Sequence, residues 1–246
     1  MTRSTRQRTG DGALRRALFD ERDGPLPAML VGLTMLAGIV DATSILALDH
    51  VFVATVTGNI VFIGLALTGA DGFSVLSSGV ALVGFVVGVL PSARLCRRST
   101  GHRGRAVRDV VALKVGLAVP VILTVALAAE PLHPAVRLTV TAMLAASMGA
   151  QLALIRYLKV PDLLTAVMTL TTIEVLTERG AGRHDPVLVR RGLSLLAFFI
   201  GIVIGGALAA YVTPGAALGF GLVITLAVGL GSHAVSRDDA AWSLPR

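Results

Sequence analysis

Apolar runs long enough to cross a bilayer follow one another along nearly the whole of this 246-residue chain. A hydrocarbon core of about 30 Å takes about 20 apolar residues in a helix. Eight segments approach or meet that length, at about 28–48, 51–68, 73–93, 109–129, 135–155, 162–177, 192–212 and 215–234. Hydrophobic residues make up 54% of the chain and charged ones 15%, where a soluble domain carries roughly 25% charged residues. A water-soluble fold is excluded, and the chain reads as an all-α polytopic membrane protein. Residues 1–26 form a polar tail, 27–235 a single membrane domain and 236–246 a second short tail.

The arginines decide how many segments cross. Of the 22 Lys and Arg residues, all but Lys114 and Arg137 fall in five places: the N-terminal tail, the 94–108 loop, Arg156 with Lys159, the 179–191 stretch and the C-terminal tail. Short loops rich in Lys and Arg stay on the cytoplasmic side. Eight crossings would export both the 94–108 loop and the 156–159 turn. Six crossings, with 51–68 and 162–177 as re-entrant or broken segments that enter and leave on one face, keep all five places and both termini cytoplasmic. Six is the preferred count and eight the alternative. Lys114, in the first turns of the fourth segment, is then expected to snorkel inward.

Chemistry sets the same two segments apart. Segment 51–68 opens Val51-Phe52-Val53-Ala54-Thr55-Val56-Thr57-Gly58-Asn59, a β-branched run interrupted by Gly58-Asn59. It reads as an extended leg, a break and a half-helix starting at Asn59. Segment 162–177 follows Pro161-Asp162 and carries Thr165, Thr169, Thr171, Thr172, Glu174 and Thr177. Such polarity belongs against protein or a cavity rather than lipid; two ordinary spans with inward polar faces are the alternative. Each half, 27–129 and 135–235, then holds three crossings with a broken segment after the first. Three is odd, so the second half is inverted relative to the first. An echo agrees: Gly38-Ile39-Val40-Asp41-Ala42 against Gly149-Ala150-Gln151-Leu152-Ala153, 111 residues on. Many secondary transporters are inverted repeats with broken elements at their interface.

The pattern from Gly38-Ile39-Val40-Asp41-Ala42-Thr43-Ser44 to Thr55-Val56-Thr57-Gly58-Asn59 resembles the YoaK family of bacterial membrane proteins. A second, looser match runs from Gly149-Ala150-Gln151 through Arg156, Val160-Pro161-Asp162, Thr165 and Thr169. Family members usually carry Asn after that glutamine, where this chain has Leu152. The resemblance covers roughly 28–234. It implies a multi-pass protein of the bacterial inner membrane, sometimes described as a permease, and supplies neither substrate nor catalytic residues.

Asp41, about twelve residues into the first crossing, is the sharpest candidate for chemistry. A carboxylate at the bilayer centre costs roughly 2.5–3.5 kcal/mol on insertion scales. It is expected to be a substrate-binding or proton-carrying group, or else a structural carboxyl that fixes the break. Thr55, Thr57 and Asn59 supply hydroxyls and an amide there, for an anionic or carbonyl group at a half-helix N-terminus or for self-capping. Gly58 is expected to be the hinge. Glu174 is a second intramembrane carboxylate, coupled to Asp41 or paired with an edge arginine. Asp162 is an N-cap or a site residue, and Gln151 a helix–helix hydrogen bond or a ligand contact. Thr165 and Thr169 complete the set. Gly201, Gly205 and Gly206 have the spacing of close helix packing.

No Walker A loop, dinucleotide-binding glycine loop, HExxH or GxSxG motif occurs. ATP-driven transport and the familiar hydrolases therefore lose support, and the chain is expected to be no enzyme and to need no cofactor. A single cysteine, Cys96, and five scattered histidines exclude a disulfide framework and argue against a metal site. The net charge of +7 fits cytoplasmic loops and anionic lipid, not nucleic acid. Two functions stay open. One is a small-molecule permease or secondary transporter of unknown substrate, with the bilayer, that substrate and protons as partners. The other is a non-transporting membrane scaffold, assembly or sensing partner. Either is compatible with a homo-oligomer.

Overall fold

The apolar windows that the arginines assign to crossings each become one long helix in a computed structural model, which describes residues 15, 17–19, 23–99, 101–128, 132–160 and 186–235. Among these residues the helices are α1 (Leu26–Ala47), α2 (Gly58–Leu67), α3 (Val75–Arg98), α4 (Arg103–Leu127), α5 (Pro134–Leu158), α6 (Pro186–Tyr211) and α7 (Pro214–Val235), with no strand between them. All but α2 are long and apolar enough to cross a membrane. With ten residues, α2 is about 15 Å long, half the depth of a hydrocarbon core. Segment 162–177, and with it Asp162, Thr165, Thr169 and Glu174, lies outside the described residues.

Helix ends do not follow the apolar windows. Both α4 and α6 begin six residues before the windows that open at 109 and 192. Arginine is a good helix former, so polarity closes an apolar window without stopping the helix. The start of α4 is set by a cap instead: the His102 ring accepts the Arg105 N–H at 3.3 Å.

Ion pairs identify which helix ends meet. Arg103 at the start of α4 pairs with Asp23, just before α1, at 3.0 Å, and also donates to the Leu158 carbonyl that ends α5. Arg190 in the first turns of α6 donates to Ala17 O at 2.7 Å and stands 3.9 Å from Asp23. Four helix ends and the N-terminal approach therefore share one end of the bundle, the tail end. At the far end Arg137 of α5 pairs with Asp49, which follows α1, and Ser77 of α3 donates to the same carboxylate at 3.1 Å. The connection from α1 to α3 thus begins and ends at the far end, and that from α5 to α6 begins and ends at the tail end.

Two helices are enclosed and four face outward. The apolar windows of α1 and α5 are 72% and 67% buried, against 22–33% for α3, α4, α6 and α7. The exposed large residues of the outer helices include Val83, Val86 and Leu90, Leu123 and Leu127, Leu196, Phe199 and Val203, and Val223 and Leu230, an apolar surface suited to lipid. Around the enclosed pair, α1 packs chiefly on α6 and α3 on α5; α4 reaches α5 and α7, and α7 reaches α1. Small residues make the two main contacts tight. A side-chain carbon on Gly38 would collide with Phe198 O, and one on Gly201 with Met35 O. Between α3 and α5 the same holds for Gly149 against Phe85 O and Gly88 against Ala146 O. Gly205 meets the Ile39 backbone, whereas Gly206 has only the Ala42 methyl at 3.9 Å.

Candidate functional site

Asp41 sits six residues before the end of α1, less than two turns from the far end, rather than near the middle of the crossing. Its side chain meets the break directly. One carboxylate oxygen accepts the Val53 and Ala54 N–H groups at 2.9 and 2.7 Å, and the other accepts Thr55 N–H at 2.9 Å. One turn on, Ser44 donates to Val51 O at 2.8 Å. An irregular backbone inside a helical bundle exposes N–H and C=O groups that must find partners. Here α1 supplies them for Val51 and for residues 53–55.

Asn59 does the same from the other side. Its amide oxygen accepts Phe52 N–H at 2.9 Å and its NH₂ donates to Phe52 O at 2.6 Å. Such a two-point clamp uses every group the amide would offer a helix cap. The half-helix starts one residue earlier than expected, at Gly58, with no side-chain cap from Thr57, which is exposed. Its first N–H groups are taken by the Thr55, Val56 and Thr57 carbonyls at 3.0–3.2 Å, so they are not free for a ligand. Gly58 does not use the left-handed backbone region: the positive-φ glycines of the described chain are Gly24, Gly69, Gly72 and Gly101. A carbon on Gly58 would stand 2.5 Å from the Phe52 ring, which stacks on Phe62 at 5.2 Å. Its hydrogen makes room for that ring.

A second polar centre lies deeper. Lys114 on α4 is 1% exposed and does not snorkel to water. Its amine donates to the Gln151 side-chain oxygen, and the Gln151 NH₂ donates to Leu33 O at 2.9 Å. Gln151 thereby joins α1, α4 and α5 through one amide, and of the candidate residues it is the one that belongs to this centre. Beside Lys114 lies a small cavity of about 20 Å³, lined also by Leu36, Val40, Ser147, Leu218 and Thr225. That is room for about one water molecule. Lys114 was not among the candidates. Its signal in the sequence is its position eleven residues beyond Arg103, three helical turns in, once the helix start is placed correctly.

Of the remaining candidates, Asp162, Thr165, Thr169 and Glu174 are outside the described residues. Among the described residues no three His, Cys, Asp or Glu side chains gather as a metal site would require, and Cys96 is buried.

The comparisons with known proteins place the chain in a family of membrane proteins. The chain is 31% identical over 185 residues to the UPF0700 transmembrane protein YoaK of Bacillus subtilis (strain 168), covering 70% of this chain and 79% of that protein. No solved structure matches it. A family profile described as "Protein of unknown function (DUF1275)" matches residues 29–231. With nearly the whole bundle inside that match, the chain belongs to the DUF1275 family of membrane proteins.

Proposed function

We propose that the chain is a small-molecule permease or secondary transporter of the bacterial inner membrane, built as an inverted repeat with its site between the halves 27–129 and 135–235. On this reading 51–68 and 162–177 are re-entrant, both termini are cytoplasmic, and the tail end of the bundle faces the cytoplasm. The parity of the helix ends supports that sidedness, since the basic clusters around Arg103 and Arg190 share one end.

Support for the repeat comes from exchanging the halves. Replacing α1 by α5, α3 by α6 and α4 by α7 leaves the pattern of helix contacts unchanged. The register agrees as well. A step of 111 residues takes Met35 and Gly38 to Ala146 and Gly149, and a step of 113 takes Phe85 and Gly88 to Phe198 and Gly201. The contacts of one set become those of the other. A step of 104 takes Val111 and Val125 to Gly215 and Gly229, and the close contacts join Val111 with Gly229 and Val125 with Gly215.

The observation that carries the function is the place of the cavity on this exchange. Much of its lining comes in corresponding pairs, among them Leu36 with Ser147, Lys114 with Leu218 and Val121 with Thr225. Transporters made of inverted repeats hold their substrates at that interface and expose them alternately. Asp41 then serves as the fastener of the 51–59 break and not as the proton carrier.

Cysteine accessibility tests the reading. In a Cys96→Ala background, Ser147→Cys in oriented vesicles is expected to react with a small, charged thiol reagent from either face. A full-length, folded variant labelled from neither face identifies a closed scaffold and removes the permease. Uptake of labelled organic acids, amino acids and inorganic ions into proteoliposomes then finds the substrate.

A further inference from the structure

We propose that the cavity beside Lys114 binds a small monovalent anion or the carboxylate of a compact organic acid, with the Lys114 ammonium meeting its charge. The proposal rests on the permease reading and names the substrate class.

A buried ammonium is costly unless paired and hydrogen-bonded. Lys114 offers three donors, and the structure uses one of them, on Gln151. None of the ion pairs among the described residues involves it. The Gln151 amide is held in one orientation because its NH₂ is committed to Leu33 O. Its oxygen therefore stays toward the amine and fixes it in place. The cavity wall offers Lys114, Ser147 and Thr225 amid aliphatic side chains. Thr225 already gives its hydrogen to Gly221 O at 2.9 Å.

Electrostatics selects among ligands. A cation would be repelled by the charged amine, and a neutral solute would do nothing to favour that charge. An anion offsets the burial of the ammonium and fills its spare donors. The cavity of about 20 Å³ holds about one water-sized group in this conformation, so the smallest anions are favoured and a carboxylate needs it to widen.

The repeat supplies its own control. The position that corresponds to Lys114 is Leu218, and the one that corresponds to Gln151 is Val40. Both are apolar and both line the same cavity. The architecture thus closes around leucine and valine on one side, so helix packing alone does not call for the lysine and its amide on the other. An intramembrane ionisable residue in such a place marks a substrate pathway.

The test uses the purified full-length protein in detergent, with sodium chloride, formate or nitrate replacing sodium gluconate at constant ionic strength. The melting temperature is expected to rise saturably with at least one of the three. The shift should disappear in Lys114→Met and survive, weakened, in Lys114→Arg. It should also disappear in Ser147→Leu, which fills the cavity and leaves the amine in place. A shift that persists in folded Lys114→Met or Ser147→Leu protein, or that no anion of the set produces in the wild type, overturns the proposal. Flux into proteoliposomes separates it from the reading beneath it. Anion-dependent stabilisation without anion flux keeps the site and removes the permease. Saturable flux of a cation or neutral solute, indifferent to Lys114→Met, keeps the permease and removes the anion site.

Discussion

Asp41 and Lys114 are both charged residues sunk in long apolar helices, at 2% and 1% exposure, and they are satisfied in opposite ways. Asp41 is surrounded by the backbone of its own neighbourhood, with partners twelve to fourteen residues along the chain. Both of its oxygens are occupied by N–H groups that cannot leave without unfolding the break. Lys114 has a partner 37 residues away on another helix, donors to spare, and a cavity beside it. A polar group whose partners are fixed backbone belongs to the architecture. One left under-satisfied against a cavity is, on the proposed reading, placed to meet something that comes and goes. On the proposed reading, the residue that looks most functional in the sequence is the structural one of the pair.

The contrast can be broken first at Asp41. Asp41→Ala orphans three N–H groups at the break, and leaving such donors unpaired costs about 1–3 kcal/mol each. A total loss of about 3–5 kcal/mol is expected, read as a sharp fall in melting temperature and expression. A folded Asp41→Ala protein of normal stability would mean that the break is held by something else.

Gln151→Leu comes next. It removes the bonds to Leu33 O and Lys114 together, and about 2–3 kcal/mol should go with them. Melting of Gln151→Leu against Gln151→Glu sharpens the comparison, because the glutamate supplies a charge for Lys114. The glutamate variant should recover stability and lose any response to anions.

A smaller effect is expected for Asp41→Asn. Its amide oxygen keeps the Val53 and Ala54 N–H groups, while its NH₂ faces Thr55 N–H, donor against donor. The expected loss is about 1–2 kcal/mol, with the pH dependence of transport unchanged. Disappearance of pH-driven accumulation in a folded Asp41→Asn protein would make the carboxyl the proton carrier and collapse the contrast. The smallest change belongs to Lys114→Met, within about 1 kcal/mol of wild type, since removing a buried charge offsets the lost bond to Gln151. Severe destabilisation there would turn Lys114 into a structural residue like Asp41.

These two residues also mark how far the sequence could be read. The meeting of Asp41 with 51–59 is legible because both sides are local and each is odd: an acid inside an apolar run, then a β-branched leg stopped by Gly58-Asn59. The long spans follow from length and hydropathy, and their parity from the arginines. Lys114 is hidden for two reasons. The apolar window opens at 109, which makes the lysine look like an edge residue, whereas the helix starts at Arg103. Its partner, Gln151, lies on a helix whose packing against α4 no local pattern announces. Gly58 misleads in another way. An interrupting glycine suggests a backbone device, and only the position of the Phe52 ring shows that the need is for space.

The two ends of the bundle hold their halves together unequally. At the tail end Arg103 of the first half donates to the Leu158 carbonyl of the second, a bond buried on both sides, whereas the Asp49–Arg137 pair that joins the halves at the far end is 27–33% exposed. Dissolved salt screens exposed charges and barely reaches buried ones, so ionic strength loosens the far end alone. For a carrier that rocks one half against the other, opening to the far side then breaks the weaker contact, so that open state costs less and the empty protein spends more of its time facing that solution. Passive exchange cannot favour net flow in either direction, but it can be lopsided in kinetics. The half-saturating substrate concentrations on the two faces should differ, with the two maximal rates differing in proportion, and added salt should widen the gap.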